Sequence, residues 1–258
     1  MEKQIRRVIF TCGGTAGHVN PAIAVAQLVA EKNPGVEILF VGAERGLEKE
    51  LVPAAGYDFR TVHISSFHRS FKPAEIKHNL VSLYNMVRSP AEARAIQAAG
   101  GIFAFLVIEG MEPVGNRLER LEQYARWGAR IGMLTWNEEN LLAAGAGADP
   151  DKGLTALGRE AVRRMQRLHI IPDVSHTSDG TFRDIIRLAE GPVIASHSNC
   201  RALCDVRRNL TDDQLRAIRD TGGVVGVNVY HGFVHEDPRR QTAAMLARHA
   251  AHMAEVMG

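Results

Sequence analysis

Apolar runs alternate with amphipathic segments along the first part of the chain. Runs over residues 7–12, 37–41 and 59–64 predict strands, and helices are predicted over 22–31 and just before Gly56. Strands that alternate with helices in this way form a parallel sheet with right-handed crossovers. We therefore predict an α/β fold that opens with a Rossmann-like parallel β/α unit.

From Gly101 onward, each apolar run is followed directly by a charged, polar or aromatic residue. The runs 102–108, 131–135, 170–175, 193–196 and 224–227 are followed by Glu109, Trp136, His176, His197 and Asn228. Functional residues at the carboxyl ends of successive strands are typical of β/α barrels. Five such runs fall short of eight strands, so we predict an incomplete (β/α)8 (TIM-type) barrel segment.

Helix boundaries between these runs can be located from capping residues. Thr211 and Gln214 have the spacing of a capping box, which predicts a helix over 212–220 that stops at Gly222. Thr155 is the predicted cap of a helix that continues through Leu168, with apolar residues on one face.

Composition narrows the range of functions. The 258 residues are 45% apolar and carry a formal charge of +2, from 31 basic and 29 acidic residues. The absence of a long basic run argues against nucleic acid as a partner. Three cysteines without a CxxC pair, and no apolar stretch long enough for a signal peptide or membrane span, lead us to expect a cytoplasmic protein.

The strand ends of the second part suggest metal chemistry. Glu109, His176 and His197 would converge at one end of a parallel barrel, and such nitrogen and oxygen donors suit zinc. Two metal ions that share a hydroxide can hydrolyse an amide. A single histidine after a strand is more often a core residue, so the prediction depends on the common location of the three side chains.

The N-terminal part contains a glycine-rich turn, Gly13–His18, between the first predicted strand and helix. Such a turn favours phosphate binding, although glycines can also serve a tight connection alone. Residues 1–98 resemble the N-terminal domain of the bacterial lipid II-forming N-acetylglucosaminyltransferase. The resemblance is carried by GGTAGHVNPAIAVA, ILFVGAERGLEKELVPAAGY and ISSFHRSFKP.

This resemblance implies that Gly14, Thr15 and His18 bind a lipid-linked diphosphate acceptor at the inner face of the membrane. The family's donor-binding domain does not follow residue 98, so we do not expect sugar transfer. A module that only binds the acceptor remains one alternative.

Residues 100–258 resemble the central part of membrane (renal) dipeptidase, a binuclear zinc enzyme with a barrel fold. The matching segments, in order, are FLVIEG, GARIGMLTWNEEN, GLTALGREAVRRM, DVSHTSDGTF, PVIASHSNCRALCDVRRNLTDDQLRAI and GGVVGVNVY. The resemblance implies that Glu109 is the bridging carboxylate and that His176 and His197 bind the second zinc.

The same resemblance assigns residues to the substrate, which would be a dipeptide. Arg208 would hold the dipeptide beside the catalytic Glu109, and Asn228 and Tyr230 occupy positions close to substrate groups. Trp136 stands where many members of the family have a substrate-binding histidine.

Two parts of the dipeptidase pattern do not occur in place. The family begins with a strand that ends in His-x-Asp and closes with a strand that carries an aspartate. His235 and Asp237 have the first spacing but follow the last barrel run, so we interpret them as a coincidence.

The sequence thus predicts a chimera of two segments, 1–98 and 99–258. The leading hypothesis is a truncated zinc-dependent dipeptidase-like hydrolase whose activity is open, and a non-enzymatic fusion remnant is the further alternative. Exposed edges of an incomplete barrel would favour a homo-oligomer.

Overall fold

A computed structural model describes residues 7–11, 16–43, 46–62, 90–99 and 105–258. These residues form a mixed α/β structure with two compact units. One unit contains the described residues up to 62 together with Val229–Arg248, and the other contains those from 90 to Asn228 together with His249–Gly258.

Strands and helices alternate through most of the described chain. The strands are β1 (Arg7–Thr11), β2 (Glu37–Ala43), β3 (Asp58–Val62), β4 (Leu106–Glu109), β5 (Ala129–Met133) and β6 (Ile171–Pro172). The α-helices are α1 (Ala16–Lys32), α2 (Glu48–Ala54), α3 (Pro90–Ala98), α4 (Arg120–Arg126), α5 (Ala156–Arg167), α6 (Asp179–Leu188), α7 (Asp212–Asp220), α8 (His231–Val234) and α9 (Ala243–Met257). Short 3-10 helices lie at Glu112–Val114 and Pro238–Arg240.

The first unit is built on a parallel sheet of the order β1-β2-β3. Phe40 on β2 is fully buried, and its ring packs against Phe10 and Tyr57 at centroid distances of 5.0 and 5.4 Å. Val19 on α1 and Val52 on α2 complete this core. The predicted parallel β/α unit is therefore present, but three strands are common to several α/β folds and the narrower Rossmann-like class stays a prediction.

Helix α1 begins earlier than the sequence pattern indicated. We expected it to start at residue 22 after Pro21, but the helix runs from Ala16 and has Pro21 inside it. A proline at this point removes only the hydrogen bond to the carbonyl four residues earlier, which is Gly17 in the first turn. The loss is therefore confined to the end of the helix, and the expected start was wrong.

The second unit contains a parallel sheet of the order β4-β5-β6, and parallel pairing continues beyond it. Asp173 pairs with Ile194, and Ala195 pairs with Val225. Five chain segments thus lie side by side in chain order, which is the arrangement predicted for part of a barrel.

Strand β6 is shorter than the apolar run that predicted it. The run extends to Ser175, whereas the strand ends at Pro172. The side chain of Asp173 accepts a hydrogen bond from the backbone N–H of Ser175, which diverts this donor from a regular ladder. The backbone N–H of Val174 still donates to the Ile194 carbonyl, so the pairing stops at Ser175, the residue before His176.

The predicted helix caps are confirmed. The Thr211 hydroxyl and the Gln214 side chain form the reciprocal capping box of α7, and the Thr155 hydroxyl accepts from the N–H of Gly158 at the start of α5. His169 follows α5 with a φ of +55°, so it ends that helix in the left-handed region.

The second unit has a large apolar core beneath the sheet. Leu134, Met165, Ile185 and Leu215 are among its fully buried members. The thiol of Cys200 belongs to this core, and burial raises its pKa to about 12. That cysteine is therefore a packing residue.

Candidate metal centre

Glu109, His176 and His197 lie together at the carboxyl end of the second sheet. Glu109 is the last residue of β4, and the two histidines follow β6 and its neighbouring segment. Glu109 Oε1 lies 3.1 Å from His176 Nε2 and 3.7 Å from His197 Nε2, and the two Nε2 atoms are 2.8 Å apart. Among the described residues, these three form the one cluster of acidic, histidine or cysteine side chains close enough to hold a metal ion.

Both imidazoles are oriented through their other ring nitrogen. His176 Nδ1 lies 3.0 Å from Asn137 Oδ1, and His197 Nδ1 lies 2.8 Å from Ser196 Oγ. Because the Asn137 oxygen only accepts, His176 carries its proton on Nδ1 and keeps the Nε2 lone pair for the centre. Partners of this kind fix the tautomer and ring plane of metal-binding histidines.

The surroundings keep the imidazoles neutral. Burial, together with the nearby charges of Arg208 and His197, lowers the pKa of His176 to about 3. Burial and Arg208 also lower the pKa of His197, against the opposing charges of Asp173 and Glu109. A histidine must be neutral to bind a metal ion. The site therefore brings two neutral imidazoles and one carboxylate together.

This donor set fits a divalent transition metal. Two imidazole nitrogens and a carboxylate oxygen are ligands that zinc takes in catalytic sites, where a fourth position stays open. Softer or harder ions prefer thiolates or all-oxygen sites. The residues present thus fit the predicted metal, with zinc as one member of the class that they can bind.

Arg208 lies directly beside the histidine ligands. Its Nη2 is 2.9 Å from His176 Nε2, and its Nη1 donates to the Ser175 carbonyl. Burial lowers the pKa of Arg208 to about 10, which still leaves it charged at neutral pH. The structure thus brings the predicted substrate-binding arginine to the centre.

Trp136 forms an exposed wall of the site. Its ring is 49% exposed and stacks on the His176 imidazole at a centroid distance of 5.9 Å. A cleft of about 500 Å³ lies in front of it, lined also by Glu109, Glu112, Glu138 and Glu139. A larger cavity of about 760 Å³ is lined by residues at the opposite ends of the strands, such as Ile131 and Ile171, and contains none of the three ligands.

Asn228 and Tyr230 occupy different surroundings. The Asn228 amide donates to the His197 carbonyl at 3.2 Å, while its backbone pairs reciprocally with the Asn199 side chain. Asn228 therefore braces the chain that carries His197. Tyr230 belongs to the first unit, where its ring contacts His231 and Phe233. A substrate contact for either residue stays a prediction.

The predicted acceptor site falls mainly outside the described residues. Gly14 and Thr15 are not described, and His18 is placed within α1 without a described side chain. His235 and Asp237 bond within their own loop, where the Asp237 N–H donates to His235 Nδ1 at 2.9 Å. Their His-x-Asp spacing is thus accounted for by a local turn.

Sequence reasoning missed several residues that support the ligands. Asn137, Ser175 and Ser196 each stand next to a residue that we had singled out, at a strand end. The available signal was a polar residue at the end of an apolar run, for Ser175 and Ser196, or two positions after one, for Asn137. Asp173, three positions before His176, belongs to the same group.

Comparisons with known proteins agree with this geometry. The model of the membrane dipeptidase family, peptidase family M19, matches residues 58–258. An uncharacterised dipeptidase of Schizosaccharomyces pombe is 37% identical over 169 residues, which cover 64% of this chain and 41% of the relative. An uncharacterised protein from the pqqA 5′ region of Klebsiella pneumoniae is 38% identical over 160 residues, or 58% of this chain and 59% of the relative.

Solved structures show the same likeness. A metallopeptidase from Rhodobacter sphaeroides, crystallised with a phosphinate mimic of the dipeptide L-Ala-D-Ala, superposes with a TM-score of 0.65 at 27% identity. The superposition covers 97% of this chain and 70% of that one. The chain thus spans about two fifths to three fifths of the length of the two curated relatives named above.

These findings bear on the predicted chimera. The dipeptidase resemblance is confirmed, and the family match starts at residue 58, before the predicted boundary at 98. None of the relatives described above is a glycosyltransferase, so that resemblance, the boundary and the lipid diphosphate stay predictions. No helix in the described part of the chain is long and apolar enough to cross a membrane.

Proposed function

The chain belongs to the membrane dipeptidase family, peptidase family M19, and on that premise we propose that it serves the metal-dependent hydrolysis of dipeptides with zinc as the metal. One observation supports this above all others. Two neutral imidazoles and a carboxylate from separate strand ends converge within hydrogen-bond distance of one another. If these three side chains served only the fold, nothing would require their nitrogen and oxygen atoms to face one another at such short distances.

Each side chain has a distinct part in this proposal. Glu109, His176 and His197 hold the metal, which when bound supplies a water of lowered pKa and polarises the scissile carbonyl. Glu109 also faces the cleft beside Trp136, so its carboxylate can accept a proton from the attacking water. The cleft has room for a dipeptide against the Trp136 ring.

Arg208 holds the dipeptide carboxylate in this proposal. A guanidinium binds a carboxylate through two parallel hydrogen bonds, which fixes the direction of the peptide. In the structure its donors point to His176 Nε2 and the Ser175 carbonyl. Since a ligand nitrogen cannot serve both partners, Nη2 must leave His176 when the metal binds, and that donor then becomes available to substrate.

The experiment combines metal content with hydrolysis. The purified chain should bind one zinc ion through these residues, and His176→Ala and His197→Ala should each abolish that binding. His231→Ala is the matched control, because His231 is an exposed histidine of the first unit. Hydrolysis of L-Ala-D-Ala, assayed by release of alanine, should follow the metal content. Equal zinc content in all four proteins would contradict the proposal.

A further inference from the structure

One buried carboxylate connects the two strand ends that carry the histidines. Asp173 directly follows β6 and is only 1% exposed. Its Oδ1 accepts hydrogen bonds from the Ser175 N–H at 3.0 Å, the Ser175 hydroxyl at 2.6 Å and the Ser196 N–H at 3.1 Å. Ser175 precedes His176 and Ser196 precedes His197, so a single oxygen ties both strand ends together.

The two serines extend this connection to His197. The Ser175 hydroxyl donates to Asp173 and accepts from the backbone N–H of His197 at 3.1 Å. The Ser196 hydroxyl lies 2.8 Å from His197 Nδ1, on the side of the ring away from the centre. The position of the His197 backbone and the plane of its ring therefore both depend on groups that Asp173 holds.

The charge of Asp173 is only partly compensated. Its Oδ2 is buried and has no hydrogen-bond partner among the described residues. A buried acceptor without a partner costs free energy, and more so when it is ionised. The pocket thus contains negative charge that a nearby cation would offset.

We propose that Asp173 is a positioning residue for the metal centre, fixing the His197 ligand through Ser175 and Ser196. This inference rests on the proposed metal-dependent function and adds a residue to it. Hydrogen-bonded groups behind metal ligands set ligand orientation, and their loss typically weakens metal binding 10–100-fold.

The test is Asp173→Asn in the full chain. Asparagine keeps the size, but its neutral amide oxygen accepts the three hydrogen bonds at Oδ1 more weakly than a carboxylate does, so Ser175 and Ser196 are held less firmly. We expect zinc affinity, measured by competition with a chromophoric chelator, to fall roughly 10–100-fold. The visible absorption bands of bound Co²⁺ should shift, because they report ligand geometry, which a purely structural role in the fold would not alter.

Asp184→Asn is the matched control. Asp184 lies on α6 and accepts from the Leu154 N–H at 2.9 Å, so it is also a hydrogen-bonded aspartate of the second unit. Its variant should keep the zinc affinity and the Co²⁺ spectrum. Ser196→Ala provides a second variant at an exposed position, with a loss of about tenfold and a shifted Co²⁺ spectrum expected.

The outcomes separate the two proposals. If the unsubstituted chain binds neither Zn²⁺ nor Co²⁺, the metal-dependent function itself fails. If it binds both and Asp173→Asn shows the same affinity and spectrum, the positioning role is overturned. Should Asp173→Asn not fold, an unchanged affinity and spectrum in Ser196→Ala would overturn it instead.

Discussion

The two compact units bury very different side chains. In the described part of the first unit, the buried residues are apolar apart from Glu48, and the core is centred on Phe40. The second unit buries Asp173, Ser175 and His176 at the ends of its strands. Burial of polar groups is unfavourable unless hydrogen bonds compensate it. The buried polar groups are therefore concentrated in the unit that contains the proposed metal ligands.

Zinc binding should suffer most from removing the negative charge at the proposed metal centre. Glu109→Gln replaces the one anionic ligand by a neutral amide, whose oxygen binds a metal ion only weakly. Because changes behind the ligands alone cost 10–100-fold, we expect zinc affinity to fall by roughly 100-fold or more. Isothermal titration measures it. An affinity equal to that of the parent chain would mean that Glu109 is not a ligand.

A substitution in the first unit should lower stability without changing zinc affinity. Phe40→Ala leaves a cavity in an apolar core, and we expect the free energy of unfolding of that unit to fall by about 3–5 kcal/mol. Denaturant unfolding measures this loss. The zinc affinity of the folded protein should stay the same, since Phe40 belongs to the unit without the candidate ligands. A parallel loss of affinity would contradict the contrast between the two units.

Local signals in the sequence located much of the second unit. Thr211 and Gln214 are three residues apart, so their capping box depends only on short-range geometry and was predicted correctly. The convergence of Glu109, His176 and His197 followed from the parallel order of their strands. Both inferences use general rules, the spacing of a capping box and the convergence of parallel strand ends, which apply wherever the predicted helix and strands form.

Long-range partners could not be predicted in the same way. That Asn228 donates to the His197 carbonyl depends on how two segments more than thirty residues apart align. The two segments can approach each other closely because residue 226 is glycine. A Cβ at this position would collide with the Ser196 carbonyl. Nor does the sequence reveal that the Asp173 oxygen also accepts from the Ser196 N–H on the neighbouring segment. Such contacts arise from the register between strands.

A smaller effect is expected at the start of α7. Thr211→Ala removes the side chain that accepts from the Gln214 N–H, and loss of such a cap costs about 1 kcal/mol. Thr211→Ser keeps the hydroxyl and is the control. Thermal unfolding of both variants compares them, and equal stability would show that the cap contributes nothing. Zinc affinity should be unaffected in either variant.

The smallest effect concerns acid stability. Burial raises the pKa of Asp179, but hydrogen bonds from Arg201 and Gln214 outweigh it and leave the pKa below its usual value. At pH values above the usual aspartate pKa of about 3.9, ionised Asp179 therefore stabilises the fold. This contribution is lost as the pH falls through the lowered pKa of Asp179. Asp179→Asn should be less stable than the parent at pH 7, with the difference shrinking below pH ~4.

The matched control for this pH effect is Asp213→Asn, at an exposed position in the first turn of α7. Denaturant unfolding at several pH values compares the three proteins. A difference between Asp179→Asn and the parent that did not change with pH would contradict the role assigned to the Asp179 charge.

The proposed metal centre can be located by anomalous diffraction at the zinc absorption edge from crystals of the chain grown with zinc. We expect a peak about 2.0–2.2 Å from Glu109 Oε1, His176 Nε2 and His197 Nε2. Zinc bound elsewhere on the chain, with no peak among these three atoms, would contradict it.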